Sequence, residues 1–66
     1  MKIILHRINT KDLLQNTPNE FGVEVDIRSE GKRLIVSHDP FEVGEDFLQW
    51  ISLYNHGTLI LNVKEE

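Results

Sequence analysis

Two carboxylates stand two residues apart in the clearest strand pattern of the chain. Glu24 and Asp26 alternate with apolar residues, so both side chains point to the same face of that strand. Like charges this close are costly unless a cation neutralises them, and carboxylate oxygens are the ligands that Mg²⁺ and Ca²⁺ prefer. The pair therefore predicts either a divalent metal site or a solvated strand face on which Arg28 balances the charge.

Two histidines stand at the ends of other strand-like segments. His6 follows the apolar run 3–5, and His38 closely follows the run 34–36. Sites in α/β folds lie at strand ends, and imidazole titrates near neutral pH. The two rings could therefore act as base and acid in a displacement at phosphorus, or each could have a structural role. His56 is better explained as a cation favoured by the dipole of the helix that precedes it.

Asn62 and Lys64 repeat the i, i+2 spacing near the end of the sequence. They would offer an amide oxygen and a positive charge on one face of a strand. A lysine beside a metal suits an anionic phosphoryl group, but a polar end to the last strand explains the same residues. The sequence contains no Walker loop, no dinucleotide-binding glycine motif and no H-E-x-x-H motif.

The hydrophobic pattern predicts the elements that must position these residues. Strands are predicted at 2–6, 22–28, 34–37 and 58–63, with a turn at 30–32 in which Gly31 takes a positive φ. Helices are predicted at 11–15, with Thr10 as its N-cap, and at 45–54, with Trp50 in the core. The order of strands and helices predicts parallel β/α units, with one hairpin after the second strand.

Length and composition limit the class of protein. The 66 residues are too few for more than one small domain, so we treat 1–66 as a single unit. A net charge of −4 argues against a nucleic-acid partner, and the apolar runs are too short for a membrane span. The sequence has no cysteine, which excludes disulfides and thiolate zinc sites and suits a cytoplasmic protein.

Five ordered segments together resemble the N-terminal signature of the glycerophosphodiester phosphodiesterases, within the phosphatidylinositol-phospholipase-C-like phosphodiesterase superfamily. The segments are His6-Arg7, Gln15-Asn16-Thr17, Gly22 to Arg28, Val36 to Pro40 and Leu61 to Lys64. The resemblance covers most of the chain. It implies an α/β fold, namely the N-terminal segment of a TIM (β/α)8 barrel with about three strands, a hairpin excursion and helices.

The resemblance also implies a reaction and a role for each candidate residue. The reaction would be metal-dependent hydrolysis of a small glycerophosphodiester to glycerol phosphate and an alcohol. The implied residues are Glu24, Asp26 and Asn62 for Mg²⁺ or Ca²⁺, His6 and His38 for acid and base in either order, and Arg7 and Lys64 for the substrate phosphate. As a barrel segment, the chain is expected to be inactive alone and to self-associate through unsatisfied strand edges.

The sequence departs from the family pattern at several positions. Ile8 stands where a glycine usually follows the His-Arg pair, and Gln15 stands where the family has glutamate. Asn62 stands in place of a third acidic ligand, so we expect weaker metal binding, with a different diester or metal preference left open. Two alternatives remain: a small α+β interaction domain without catalysis, and a non-catalytic barrel relative that binds phosphorylated ligands.

Overall fold

A five-stranded sheet and two short helices form the mixed α/β fold in the computed structural model, which describes residues 3–39 and 43–64. The strands are β1 (Ile4–Leu5), β2 (Gly22–Glu30), β3 (Arg33–Val36), β4 (Glu45–Asp46) and β5 (Leu59–Lys64). The helices are α1 (Lys11–Gln15) and α2 (Phe47–Ile51). Within the described ranges, neither helix has the length and apolar character needed to span a bilayer.

Strand β2 lies at the centre of the sheet and has partners on both edges. On one edge, Gly22 N–H donates to Ile3 O at 2.7 Å and Asp26 O accepts from Ser37 N–H at 3.0 Å. On the other edge, Val23 N–H donates to the carbonyl of residue 58 at 2.8 Å. Thus β1 and β3 share one edge and β5 occupies the other. Because β1 and β5 both run parallel to β2, the predicted parallel β/α order is confirmed.

One face of β2 forms the floor of the hydrophobic core. Val23, Val25 and Ile27 are buried there, as the period-two pattern predicts. Trp50 of α2 packs on them with no exposed surface, and its indole Nε1–H donates to Ile8 O at 3.0 Å. The prediction that Trp50 belongs to the core is confirmed.

The first helix and the β2–β3 turn form as predicted. Thr10 has extended backbone geometry and its side chain accepts a hydrogen bond from Leu13 N–H at 3.0 Å, which caps α1. Gly31 has a φ of 61°, a conformation that glycine adopts without the steric cost paid by other residues. Both elements therefore follow from local sequence chemistry.

The second helix is shorter than the predicted 45–54. Asp46 caps it by accepting from Gln49 N–H at 3.1 Å, so α2 cannot begin before Phe47. Residues 45–46 instead pair with β3. At the other end, Tyr54 N–H donates to Ile51 O, a bond to i−3 that ends the α-helix in a tighter turn.

All four predicted strands have different ends in the structure. The predicted strand 22–28 is Gly22–Glu30, and the predicted strand 34–37 is Arg33–Val36. The first contains only Ile4–Leu5 rather than 2–6, and Lys2 lies outside the described residues. The last is Leu59–Lys64 rather than 58–63. All of these differences are at strand ends, where the hydrophobic pattern is least informative.

The connection between α2 and β5 is fixed by two aromatic side chains. The Tyr54 hydroxyl donates to Gly57 O at 2.6 Å, and burial raises the pKa of that hydroxyl, which keeps it protonated. His56 Nε2 lies 3.1 Å from Leu14 O and 2.9 Å from Thr17 O. Because both partners are carbonyls, Nε2 must donate. His56 thus meets carbonyls at the end of α1, and the explanation based on its own preceding helix is wrong.

Replacing Gly22 with alanine is expected to destabilise the sheet by about 1–3 kcal/mol. An added Cβ would lie 2.8 Å from the backbone oxygen of Thr58 and 3.0 Å from Ile4 Cγ1, so β1 or β5 would have to shift. Urea unfolding followed by far-UV circular dichroism measures the change, with Ser29→Ala at an exposed position of β2 as the control. Equal midpoints for the two variants would contradict the close approach.

Candidate functional site

The candidate residues of β2 and β5 share the sheet face opposite the valine core. Asp26 is in register with Asn62 and Arg28 is in register with Lys64, so each pair points the same way. Glu24, two residues before Asp26, points to this face as well. The register therefore brings together the two i, i+2 pairs that the sequence singled out.

Asp26 lies at the centre of this polar face and is almost fully buried, with 1% of its surface exposed. Its Oδ1 lies 3.9 Å from Lys64 Nζ. Its Oδ2 lies 3.4 Å from His38 Nδ1, within ion-pair range but without hydrogen-bond geometry. A buried carboxylate needs such partners because desolvation is costly. The structure thus places His38 and Lys64 beside one carboxylate.

Asn9 is a contact of Asp26 that the sequence analysis missed. The Asn9 side-chain N–H donates to Asp26 Oδ2 at 3.0 Å, and the Asp26 backbone N–H donates to Asn9 Oδ1 at 3.0 Å. These two bonds fix the position of the Asp26 carboxylate. The only sequence signal is that Asn9 follows shortly after His6-Arg7, and a single asparagine has no spacing pattern that distinguishes it.

The second histidine–carboxylate pair lies where β1 ends. His6 Nδ1 is 3.3 Å from Glu24 Oε1, and the His6 side chain is 72% exposed. Ile8 N–H donates to Glu24 O at 3.0 Å, which continues the pairing with β2 beyond β1. Between His6 and Ile8, Arg7 has a φ of 56° and an exposed side chain. This left-handed conformation costs about 1–2 kcal/mol for a residue other than glycine.

The segment that carries His38 is held by contacts to β2. Ser37 N–H donates to Asp26 O at 3.0 Å, and an Arg28 guanidinium N–H donates to His38 O at 3.0 Å. The Ser37 hydroxyl donates to Asp39 O at 2.7 Å. Arg28 thus positions the histidine segment instead of only balancing the carboxylates. Pro40 ends the fourth of the five segments that resemble the family signature, and it lies outside the described residues.

Glu24, Asp26 and Asn62 are the residues implied for a metal. Together they supply carboxylate and amide oxygens only, which is the donor chemistry of Mg²⁺ and Ca²⁺ sites. In the part of the chain that the structure describes, no group of three or more His, Cys, Asp or Glu side chains is arranged to hold an ion. The three residues thus have the donor types that suit a hard cation, but the described side chains do not form a ready-made ligand group.

A groove of about 110 Å³ opens beside this face, lined in part by Asn9, Ser37, His38 and Glu45. A larger cavity of about 250 Å³ lies at the opposite end of β2, around Gly22 and Thr58. The smaller groove is the relevant one because it contacts the histidine and the asparagine that surround Asp26.

Comparisons of the chain with protein-family models, with curated proteins and with solved structures found no match. The interpretation of the site therefore depends on the motif resemblance and on the geometry of the polar face.

Proposed function

We propose that the chain is the N-terminal segment of a TIM barrel phosphodiesterase that hydrolyses glycerophosphodiesters with the help of Mg²⁺ or Ca²⁺. The observation that carries the proposal is the arrangement of two histidine–carboxylate pairs on one face of the mixed sheet. His6 is paired with Glu24 and His38 with Asp26. Active sites of barrels of this kind lie at the carboxyl ends of the parallel strands. His6 directly follows the carboxyl end of β1, whereas Asp26 lies in the middle of β2.

Each carboxylate lies beside the Nδ1 atom of its histidine. A carboxylate that accepts a hydrogen bond from Nδ1 would orient the ring and leave Nε2 to exchange a proton with the substrate. One histidine would take the proton from the attacking hydroxyl or water, and the other would protonate the departing alcohol oxygen. The order of these two roles is left open.

The remaining charged residues suit a phosphodiester group. Glu24, Asp26 and Asn62 would hold the divalent cation, whose contribution when bound is to polarise a phosphoryl oxygen. Lys64, 3.9 Å from Asp26, and the exposed Arg7 would neutralise the phosphate charge. The small number of acidic ligands favours one second candidate, a barrel relative that binds phosphorylated ligands without cleaving them.

The test is an assay on the protein encoded by the complete reading frame that contains these 66 residues. Release of glycerol phosphate from glycerophosphocholine would be followed with Mg²⁺, with Ca²⁺ and with a chelator. Metal-dependent release supports the proposal. Binding of the diester without turnover supports the second candidate, and neither binding nor turnover contradicts both.

Asn62→Glu in that protein is expected to tighten divalent metal binding by roughly fivefold or more, because an added charge a few ångströms from a cation is worth at least about 1 kcal/mol. Titration calorimetry with Mg²⁺ and Ca²⁺ measures the affinity. The matched control is Val63→Glu, which adds the same charge on the opposite face of β5, where Val63 is 64% exposed. Unchanged or weaker affinity in Asn62→Glu would contradict its place among the ligands.

A further inference from the structure

The edge of β2 that pairs with β1 changes partner at Asp26. At the start of β2, Gly22 N–H donates to Ile3 O. From Asp26 onward the partner is β3, and Ser37 N–H donates to Asp26 O. The Asp26 backbone N–H lies between these two partners, in a residue that is almost fully buried. A buried N–H needs an acceptor, so the loop after β1 has to supply one.

Two features of that loop explain why a side chain supplies the acceptor. A regular parallel ladder in the register of β1 would bring Arg7 N–H to Glu24 O, but Ile8 N–H donates there. Arg7, with its left-handed backbone, is thus an extra residue in the ladder. Continued with this offset, the ladder would give Asp26 N–H the carbonyl of Ile8. That carbonyl instead accepts from the indole of the core tryptophan, and the Asn9 amide takes its place.

The Asn9 side chain makes a two-point contact with Asp26. Its Oδ1 accepts from the Asp26 backbone N–H and its Nδ2 donates to Asp26 Oδ2, both at 3.0 Å. The chemistry of the partners fixes which amide atom is which, because a backbone N–H only donates and an ionised carboxylate only accepts. The first bond satisfies the buried backbone, and the second bond holds the carboxylate against rotation.

We propose that Asn9 is a positioning residue for His38 and acts through Asp26. Asn9 holds Asp26 Oδ2, and this oxygen lies 3.4 Å from His38 Nδ1. The other oxygen, Oδ1, is left toward Lys64 Nζ at 3.9 Å. A negative charge beside Nδ1 favours the tautomer with the proton on Nδ1, which leaves Nε2 free to accept a proton. The catalytic consequence rests on the proposed function, in which His38 transfers a proton.

Two NMR measurements on the unchanged 66-residue chain test the proposal. A scalar coupling across the hydrogen bond should connect the Asp26 amide nitrogen with the side-chain carbonyl carbon of Asn9. Long-range proton–nitrogen correlation at about pH 8.5, where an ordinary imidazole is neutral, should show His38 protonated at Nδ1. Absence of the coupling, or a His38 ring protonated mainly at Nε2, would overturn the proposal.

Asn9→Ala removes both bonds and frees the Asp26 carboxylate to rotate, so the share of His38 protonated at Nε2 should rise. Asn19→Ala, at an exposed position between α1 and β2, is the matched control and should leave the tautomer unchanged. Gly22→Ala is expected to destabilise the same sheet away from the site, and it should leave the tautomer unchanged as well. A tautomer that stays the same in Asn9→Ala, or that moves equally in Gly22→Ala, would contradict the positioning role.

The consequence for hydrolysis is measured in the protein from the complete reading frame. Asn9→Ala should lower kcat for a glycerophosphodiester by roughly 10–100-fold, the scale seen when a partner that orients a metal ligand is removed, with a smaller change in KM. Asn19→Ala should keep kcat. If the NMR results are as expected but no diester is hydrolysed, the proposed function fails and the positioning of His38 stands. Hydrolysis with an unchanged kcat in Asn9→Ala would overturn the positioning role and leave the proposed function intact.

Discussion

Trp50→Ala is expected to unfold the domain at 25 °C. The indole is fully buried, and its ring centroid lies 6.1 Å from that of Phe47 and 5.8 Å from that of Tyr54. Truncating a buried aromatic residue to alanine costs about 3–5 kcal/mol. A single core in a chain this short rarely supplies more than about 3–5 kcal/mol, so the variant would retain little or no stability. Far-UV circular dichroism and amide shift dispersion in NMR measure the loss of fold.

Two further variants separate the contributions of Trp50. Trp50→Phe keeps an aromatic ring but leaves Ile8 O without the indole N–H donor, which is expected to cost about 1–3 kcal/mol and to leave a folded protein. Leu48→Ala, at an exposed position of the same helix, should change stability by less than about 0.5 kcal/mol. A cooperative unfolding transition in Trp50→Ala similar to that of the unchanged chain would show that the core does not depend on the indole.

Most of the fold is encoded in local patterns that a sequence displays directly. The alternation along β2, the capping threonine of α1 and the glycine of the β2–β3 turn all predict the observed structure. The limits of α2 are not visible in the hydrophobic pattern, because they depend on whether Asp46 caps the helix or continues it. Strand β4 has two residues, too few for any periodicity, and forms only because β3 offers a partner.

In the candidate site too, some residues could be predicted from local sequence patterns and others could not. That Glu24 and Asp26 share a face follows from the period of a strand, and the register with β5 adds Asn62. The contacts of Asn9 and His56 depend on how loops return to the sheet and to α1, across 17 and at least 39 positions of sequence. No local spacing encodes those contacts. Sequence reasoning could therefore identify the strand residues of the site and the two histidines that follow strands, whereas Asn9 required three-dimensional information.

Asp26→Asn is expected to lower hydrolysis of a glycerophosphodiester by on the order of 10²–10³-fold, the scale seen when one preorganised electrostatic contact is removed from an active site. The change keeps the shape of the side chain but removes the charge that lies 3.4 Å from His38 Nδ1 and 3.9 Å from Lys64 Nζ. One substitution would thus affect the histidine, the lysine and the implied cation together. The measurement is kcat/KM of the protein from the complete reading frame, with saturating Mg²⁺ or Ca²⁺.

The matched control is Asp12→Asn, which makes the same change of net charge at an exposed position of α1 and should leave kcat/KM unchanged.

Thermal melting with and without the divalent cation supplies a second readout, because a ligand that binds only the folded state raises the melting temperature. Asp26→Asn should lose most of that rise, and Asp12→Asn should keep it. If Asp26→Asn loses stability but keeps both kcat/KM and the rise with metal, Asp26 is a structural carboxylate held by Asn9 and Lys64. The polar face would then support the fold, and the phosphodiesterase proposal would lose the residue on which its geometry depends.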